Sequence, residues 1–357
     1  MVLIPARKVI ITRLLQGHNV LNNIKEKVLM KELTEILSYR RPAGSSGEQI
    51  FIKRFLDTVE GMQVDTFGNR YIEIGKSSTM FSCHTDTVHK DDAMQKVYID
   101  PIKHHIFTSG ILGADDGTGI WLMLNMIRAG VEGLYVFHRE EEIGGNGSMH
   151  FAQHSKELLE GKLRCIAIDR KGYDSVITEQ CGICCSDEFA LELAIGLNDL
   201  GLEMNFMPDD TGLFTDSANY THLIPECTNL SVGYFHQHMP NEYQDAVFAY
   251  KLLEACLTID WEALGVYKGT EEEYYYNTPT TFNTKSYGYS YDPYSVYNDM
   301  IEGATVRKQT DTFELELDEL YDYVKADDFE SALNMVSNDP ELATSLIFEF
   351  YKDIKGF

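Results

Sequence analysis

The sequence has little positive charge, no long hydrophobic run and no obvious leader. Thirty lysines and arginines stand against 56 aspartates and glutamates, a formal net charge of −26. Because so acidic a surface repels phosphate groups, we expect neither a nucleic acid nor a membrane as partner. No run approaches the roughly 18 apolar residues of a membrane span, and residues 1–16 lack the features of a signal peptide. We therefore expect a cytoplasmic protein.

The cysteines are also too few and too irregular for a disulfide framework. There are seven, an odd number, and several lie within apolar stretches, as buried free thiols do. Cys181 and Cys184 have the spacing of half a zinc knuckle, but no second pair stands at the required distance. We interpret the cysteines as small apolar residues of the core.

What the sequence does contain is an alternation of strand-like and helical patterns. Apolar strand-like stretches cover 79–86, 134–138, 164–169 and 227–234, and segments with helical spacing of apolar residues separate them. Such alternation predicts an α/β fold with a mostly parallel, doubly wound mixed sheet and helices on both faces.

Changes in composition divide the chain into four predicted parts. The main α/β domain covers 27–265 and follows an N-terminal extension, 1–26. Residues 266–312 are rich in tyrosine and form a linker or extended segment. Residues 313–357 regain helical spacing and are predicted to be an acidic helical module, either a solvated appendage or an interaction module.

Five polar motifs follow predicted strands or precede a predicted helix. They are SCHTDTV (82–88), GADDGTG (113–119), FHREEEIGG (137–145), AIDRKG (167–172) and YFHQHMPNE (234–242). Because a parallel sheet opens its ligand crevice at the carboxyl ends of its strands, these motifs should meet in one volume. So many carboxylates need a counter-charge to stay ionised together, and mixed histidine and carboxylate ligands suit zinc. The set is larger than one cation uses, so two divalent cations are predicted.

The individual motifs also have simpler interpretations. His84 and Asp86 are two residues apart, so on a strand they point the same way, and the carboxylate can orient a metal-bound imidazole. The same pair can equally be an ordinary hydrogen bond at a strand end. One of the aspartates at 115 and 116 can cap the helix that follows. The three glutamates at 140–142 can form a solvated loop.

Taken in order, the motifs resemble those of the co-catalytic dizinc exopeptidases. The series H-x-D, A-D-D-x-x-G, E-E-x-G, Asp and H-x-x-x-E is similar to that superfamily, which includes bacterial leucyl-aminopeptidase-type zinc aminopeptidases, peptidase T and carboxypeptidase G-type enzymes. The resemblance covers residues 27–260. It implies one ion, most commonly Zn²⁺, on His84, Asp115 and Asp169, and a second on Asp115, Glu142 and His238. It further implies that Asp115 bridges the ions, Asp86 orients His84 and Glu141 is the catalytic base.

Three of these assignments have competitors in the sequence. The three glutamates at 140–142 can be aligned with the E-E pair of the motif in two ways, and the pair Glu141 and Glu142 fits E-E-x-G. His236 competes with His238, which has the H-x-x-x-E spacing, and Asp174 competes with Asp169, which lies directly at a strand end. The interval from the last aspartate ligand to the last histidine ligand is too short for the separate lid domain of the peptidase T relatives. The resemblance therefore points to a lid-free form.

The activity implied is that of a metallopeptidase. The resemblance favours an aminopeptidase that hydrolyses the N-terminal amide bond of peptides by a metal-bridged hydroxide, and the acidic surface suits a substrate with a free ammonium group. An N-acyl-amino-acid amidohydrolase acting at the same dizinc site is an alternative, and a non-catalytic metal-binding or peptide-binding protein is another. No G-x-S-x-G or H-E-x-x-H motif indicates a different hydrolase. An oligomer is compatible with the sequence.

Overall fold

The structure is a computed structural model that describes residues 30–268. The predicted N-terminal extension, the C-terminal module 313–357 and all but the first residues of the segment 266–312 lie outside the described residues. Those three predictions therefore stay predictions. Of the main domain, 27–265, the structure describes all but the first three residues.

The described residues contain twelve strands in two sheets. In chain order the strands are β1 (Gln63–Val64), β2 (Arg70–Ile74), β3 (Thr79–His84), β4 (Tyr98–Ile99), β5 (His105–Phe107), β6 (Gly133–His138), β7 (Arg164–Arg170), β8 (Ser175–Ile177), β9 (Met207–Asp209), β10 (Glu226–Ser231), β11 (Tyr234–Phe235) and β12 (Tyr243–Asp245). The main sheet has the order β1-β2-β6-β3-β7-β10-β8-β9, and the small sheet has the order β11-β12-β5-β4.

The centre of the main sheet is parallel. Strands β6, β3, β7 and β10 run in the same direction, whereas β2 joins one side and β8 the other in antiparallel pairs. Nearly every residue of the four central strands is buried, as expected for parallel strands covered on both faces. The predicted α/β class with a mostly parallel mixed sheet is confirmed.

Helices flank the main sheet. They are α1 (the described residues 30–36), α2 (Ser46–Phe55), α3 (Ala114–Arg128), α4 (Asn146–His154), α5 (Lys156–Leu159), α6 (Asp187–Asn198) and α7 (Ala246–Thr258), with 3₁₀ turns at Asp216–Tyr220 and Trp261–Ala263. Helix α6 occupies most of 189–201, a stretch whose period is ambiguous in the sequence. It begins where Ser186 accepts a hydrogen bond from Phe189 N–H, a regular N-cap.

Two cores form because alternate residues of a strand face opposite sides of the sheet. Phe81 and Tyr135 stack on one side with their ring centroids 5.0 Å apart, and this core also contains Trp121. Met80 and Val136 belong to the core on the other side. All seven cysteines are free; six are buried as predicted, but Cys181 is exposed, so its assignment to the core is wrong.

The small antiparallel sheet is absent from the sequence-based prediction. Its strands are two or three residues long, and several of their side chains are exposed, so they carry no alternating pattern. The predicted strand 227–234 is divided between β10 and β11. The helical spacing of apolar residues over 243–258 predicts a helix there, and this helix starts three residues later, after β12. Within the described part of the chain, no helix is long and apolar enough to cross a membrane.

Candidate metal centre

The centre of the site is the carboxyl edge of three neighbouring strands. His84 is the last residue of β3, Glu141 and Glu142 are the third and fourth residues after β6, and Asp169 lies near the end of β7. Because β6, β3 and β7 are parallel neighbours, with His84 in register with His138, their ends deliver these side chains to one place. The sequence-based expectation that the motifs meet at a strand edge holds for these residues.

One group of side chains surrounds the His84 ring. Its Nε2 atom lies 3.0 Å from Asp115 Oδ1 and 3.6 Å from Asp169 Oδ2. His84 is buried, and little of either carboxylate is exposed. These are the three residues that the resemblance assigns to the first metal ion.

A second group contains the other oxygen of the same aspartate. His238 Nε2 lies 3.1 Å from Asp115 Oδ2 and 3.2 Å from Glu142 Oε1. Asp115 therefore presents one oxygen to each histidine, which is the arrangement that a bridging carboxylate requires. His238 is half exposed, so this group opens to solvent whereas the His84 group does not.

Asp116 is a member of the site that the sequence analysis did not identify. Its Oδ1 accepts a hydrogen bond from Gly119 N–H, the helix cap expected of one aspartate, and its Oδ2 accepts one from His84 N–H. Among residues 30–268, two sets have ligand atoms within 4.8 Å of one another: His84 with Asp115 and Glu142, and His84 with Asp116 and Asp169. Asp116 is thus close enough to serve as a ligand as well as a cap.

Asp86 contacts both His84 and the turn that follows β6. Its Oδ1 lies 3.5 Å from His84 Nδ1, but its backbone oxygen is closer, at 3.2 Å. The carboxylate accepts hydrogen bonds from the backbone N–H groups of Glu141 and Glu142, each at 3.1 Å. Asp86 therefore connects the end of β3 to the turn after β6, in addition to its predicted contact with His84.

Glu242 holds the segment that contains Asp115. Its Oε2 accepts hydrogen bonds from Leu112 N–H (2.8 Å) and Gly113 N–H (3.1 Å), and its Oε1 accepts them from Ala114 N–H (2.8 Å) and Asp115 N–H (3.5 Å). The side chain is buried. The H-x-x-x-E spacing drew attention to Glu242, but nothing in the sequence predicted which backbone it would bind.

Asp169 has two supporting side chains from distant parts of the chain. Thr215 Oγ1 donates to Asp169 Oδ2 at 2.9 Å, and the Tyr234 hydroxyl lies 3.2 Å from Oδ1 and 3.0 Å from the backbone oxygen. Thr215 precedes a 3₁₀ turn and Tyr234 begins β11. Neither residue was predicted, since each contact joins residues more than 40 positions apart.

The competing residues lie in other surroundings. His236 packs against the Tyr243 ring, with centroids 5.9 Å apart. Asp174 lines a separate cavity of about 740 Å³ together with Asp209 and Asp210. Glu140 accepts a hydrogen bond from Asn146 Nδ2. The geometry therefore brings together the residues preferred in the sequence analysis rather than their alternatives.

Electrostatics shows that this cluster needs positive charge. Burial and the nearby Asp115 carboxylate raise the pKa of Asp169 to about 7, and the same two causes raise the pKa of Glu142. Hydrogen bonds with Asp115 and Glu142 raise the pKa of His238 to about 11. Burial opposes ionisation of Asp115, but the hydrogen bonds from His238 and His84 outweigh it and lower that pKa.

The donor set fits divalent cations. Protons and metal ions compete for the same imidazole nitrogens and carboxylates, so a site that raises histidine pKa values also attracts metal. Among residues 30–268, the ion-pair partners of Asp115, Asp169 and Glu142 are histidines rather than lysines or arginines. Histidine nitrogen with carboxylate oxygen is the ligand type of zinc and related metals.

Comparison with known proteins finds relatives in fold but not in sequence. No protein-family model and no curated protein matches the chain. Among solved structures, it is similar to aminopeptidase PepT from Bacillus cereus, with 15% identity over 66% of this chain and 98% of that chain and a TM-score of 0.52. An aminopeptidase from the archaeon Desulfurococcus kamchatkensis is 14% identical over 72% of this chain and 99% of that chain, with a TM-score of 0.51. A tripeptidase from Staphylococcus aureus is 15% identical over 65% of this chain and 98% of that chain, with a TM-score of 0.50.

At such low identity these likenesses establish the fold. The chain has the architecture of solved aminopeptidases, so the resemblance stated from the sequence motifs is confirmed at the level of fold.

Proposed function

We propose that this chain is a metal-dependent exopeptidase, and specifically an aminopeptidase with two divalent cations, most commonly Zn²⁺. The observation that carries the proposal is the position of Asp115. One of its oxygens lies 3.0 Å from His84 Nε2, which is itself 3.6 Å from Asp169, and the other lies 3.1 Å from His238 Nε2, which is itself 3.2 Å from Glu142. A single carboxylate shared by two such sets is what a two-ion site needs.

The proposed ligands follow those two sets. His84 and Asp169 would hold the first ion, Glu142 and His238 the second, and Asp115 both. Asp116 lies near the first set and is an additional ligand candidate. Cations at these positions would lower the pKa of a water molecule and polarise the carbonyl of the bond to be cleaved.

Glu141 is the proposed general base. Its backbone is fixed by Asp86, and burial raises the pKa of its carboxyl well above the ordinary range. A carboxylate with a raised pKa can accept a proton from the attacking water and donate it to the departing amine near neutral pH. Glu141 is the third residue after β6 and lies in the same turn as the adjacent ligand Glu142.

The arginines beside the site support an aminopeptidase over enzymes that must bind a substrate carboxylate. Arg139 pairs with Glu48 at 2.9 Å. Arg170 donates to Thr211 and lies 3.8 Å from Asp209. Arg41 donates to backbone oxygens, including that of Thr85. Each guanidinium thus already has a hydrogen-bond or ion-pair partner, although the Arg170 Nε atom has none, whereas the carboxylate-rich cluster favours a substrate ammonium group.

The test is a substrate panel with the zinc-loaded full chain. Aminoacyl anilides, N-acetylated aminoacyl anilides and N-acyl amino acids are assayed before and after treatment with a chelator, and metal content is measured by elemental analysis. We expect two ions per chain and chelator-sensitive turnover of the free aminoacyl anilides alone. Faster turnover of N-acyl amino acids would instead support the amidohydrolase, and bound metal without turnover of any substrate would support a binding protein.

A further inference from the structure

Two histidines lie one turn apart on helix α4. His150 and His154 are four residues apart, so their side chains leave the helix on the same face. Phe151 and Ala152 of the same helix are buried, whereas His150 is partly exposed and His154 is exposed. The two imidazole rings are stacked, with their centroids 4.1 Å apart and their planes 18° from parallel. We call these two residues the histidine pair.

The hydrogen bonds of the histidine pair leave one nitrogen of each ring available. His154 Nδ1 lies 3.0 Å from the backbone oxygen of His150. Because a carbonyl oxygen only accepts, this nitrogen carries the proton, and in the neutral ring Nε2 keeps a lone pair. His150 Nε2 lies 2.9 Å from Thr66 Oγ1, which can accept its proton and leave the lone pair on Nδ1. A metal-bound imidazole is oriented in this way, by a hydrogen bond from the nitrogen that does not bind the ion.

The turn between β1 and β2 holds His150 in place. Thr66 contributes the hydroxyl contact, and the Phe67 ring packs on the imidazole with the ring centroids 5.3 Å apart. The turn is itself ordered by Asp65, whose Oδ1 accepts hydrogen bonds from the backbone N–H groups of residues 67–69. A metal ion would therefore find the His150 ring already oriented.

The spacing of the two rings suits one metal ion. Two metal–nitrogen bonds of about 2.0–2.1 Å each span at most about 4.2 Å, so rings 4.1 Å apart are close enough to share an ion. Imidazole nitrogen binds copper, nickel and zinc, whereas calcium and magnesium prefer oxygen ligands. His154 is the last residue of α4, and a cation at that position also meets the negative end of the helix dipole.

We propose that His150 and His154 form a metal site of their own, which takes one zinc, nickel or copper(II) ion through His150 Nδ1 and His154 Nε2, with water in the remaining positions. The site shares no ligand with the candidate metal centre. Because it has only two protein ligands, it binds its ion more weakly than that centre and fills after it. The ion fastens the last turn of α4, so its effect is on stability rather than on turnover.

The experiment measures zinc bound per chain as a function of free zinc, by equilibrium dialysis of the full chain. We expect the unaltered chain to bind one ion more than His150→Gln or His154→Gln does. Each substitution should raise the dissociation constant of that ion at least about tenfold, since even the loss of a residue that only orients a ligand costs about 10–100-fold. His222→Gln is the matched control, because His222 is an exposed histidine outside α4. It should bind as much zinc as the unaltered chain, and calcium should not displace the additional ion.

Substitutions at Thr66 test which nitrogen of His150 binds the ion. Thr66→Val keeps the shape of the side chain but removes the hydroxyl that holds His150 Nε2, so the zinc affinity of this site should fall about tenfold. Thr66→Ser keeps the hydroxyl and should keep the affinity. Unchanged zinc affinity in Thr66→Val would overturn the assignment of His150 Nδ1 as a ligand.

The outcomes do not depend on the proposed peptidase function, because the additional ion is counted as a difference between chains that share the candidate metal centre. Equal zinc binding by the unaltered chain and His154→Gln would overturn the proposal, and so would an equal loss in His222→Gln. Thermal unfolding is a second measurement. Saturating zinc should raise the unfolding temperature more for the unaltered chain than for His154→Gln, because an ion bound only to the folded state stabilises it. An equal rise in both chains would also overturn the proposal.

Discussion

The main sheet and the small sheet contribute to the same candidate centre by different means. The main sheet presents His84, Glu142 and Asp169 from the ends of buried strands with partners on both sides. The small sheet presents His238 from the loop between β11 and β12, which are two and three residues long. The main sheet fixes the positions of its three residues, whereas individual side-chain contacts fix the position of His238.

The loop of the small sheet needs those contacts. His236 and His238 both have left-handed backbone conformations, with φ of 57° and 64°. Such conformations cost a non-glycine residue on the order of 1–3 kcal/mol and persist where surrounding structure holds them. Glu242 at the end of the loop anchors it to residues 112–115 through four backbone N–H groups. The comparison therefore predicts that main-sheet residues govern chemistry and that small-sheet residues govern occupancy of the more open ion position.

The largest effect is expected from Glu141→Gln, on the main-sheet side. The amide keeps the size of the side chain but cannot accept a proton, so turnover should fall about a thousandfold while two ions remain bound. Anilide hydrolysis and elemental analysis measure the two quantities. Glu140→Gln is the control, because Glu140 contacts Asn146, and it should retain most activity. An active Glu141→Gln enzyme would show that the base is assigned wrongly.

His238→Ala tests the small-sheet side directly. Removal of this imidazole leaves Glu142 and Asp115 without their shared partner, so bound metal should fall from two ions to one. Turnover should drop by roughly a hundredfold, as when a group that stabilises developing charge is lost. His236→Ala alters the neighbouring histidine, which packs on Tyr243, and should keep both ions. The reverse result for the two histidines would refute the choice of His238.

Glu242→Gln should weaken metal binding without removing a ligand. The amide can accept fewer of the four N–H groups and directs its own N–H groups at some of them. Loss of a group that orients a metal ligand costs about 10–100-fold in metal affinity, which a competing zinc-binding dye can measure. The effect should fall mainly on one of the two ions.

A matched glutamate at the opposite edge of the main sheet separates positioning from stability. Glu226 is also buried and accepts hydrogen bonds from the backbone N–H groups of Ser186, Tyr267 and Lys268. Glu226→Gln should lower the unfolding temperature but leave metal affinity unchanged. If both variants weaken metal binding equally, Glu242 acts through general stability and the comparison between the sheets loses its basis.

The same contrast explains what the sequence could predict. Strands β3, β6 and β7 are continuous apolar runs, so their ends, and the polar residues placed there, could be located from the pattern. The order of motifs then identified the fold and most of the candidate ligands. The small sheet has no such pattern, because its strands are too short to show a period. The supporting contacts of Glu242, Thr215 and Tyr234 join residues far apart in the chain, and local sequence carries no sign of them.

The smallest effect is expected from Tyr234→Phe, where the two sheets meet. Tyr234 begins β11 of the small sheet, yet its hydroxyl contacts Asp169 of the main-sheet strand β7 at 3.0 and 3.2 Å. Asp169 keeps its hydrogen bond from Thr215, so loss of one hydroxyl should cost about 0.5–1.5 kcal/mol, or about twofold to thirteenfold in metal affinity. Tyr71→Phe is the control, since Tyr71 donates to Gln63 away from the site. If Tyr234→Phe weakens metal binding more than Glu242→Gln does, the position of Asp169 depends on its side-chain partner more than on strand β7. The main sheet alone would then not fix the position of its ligand residues.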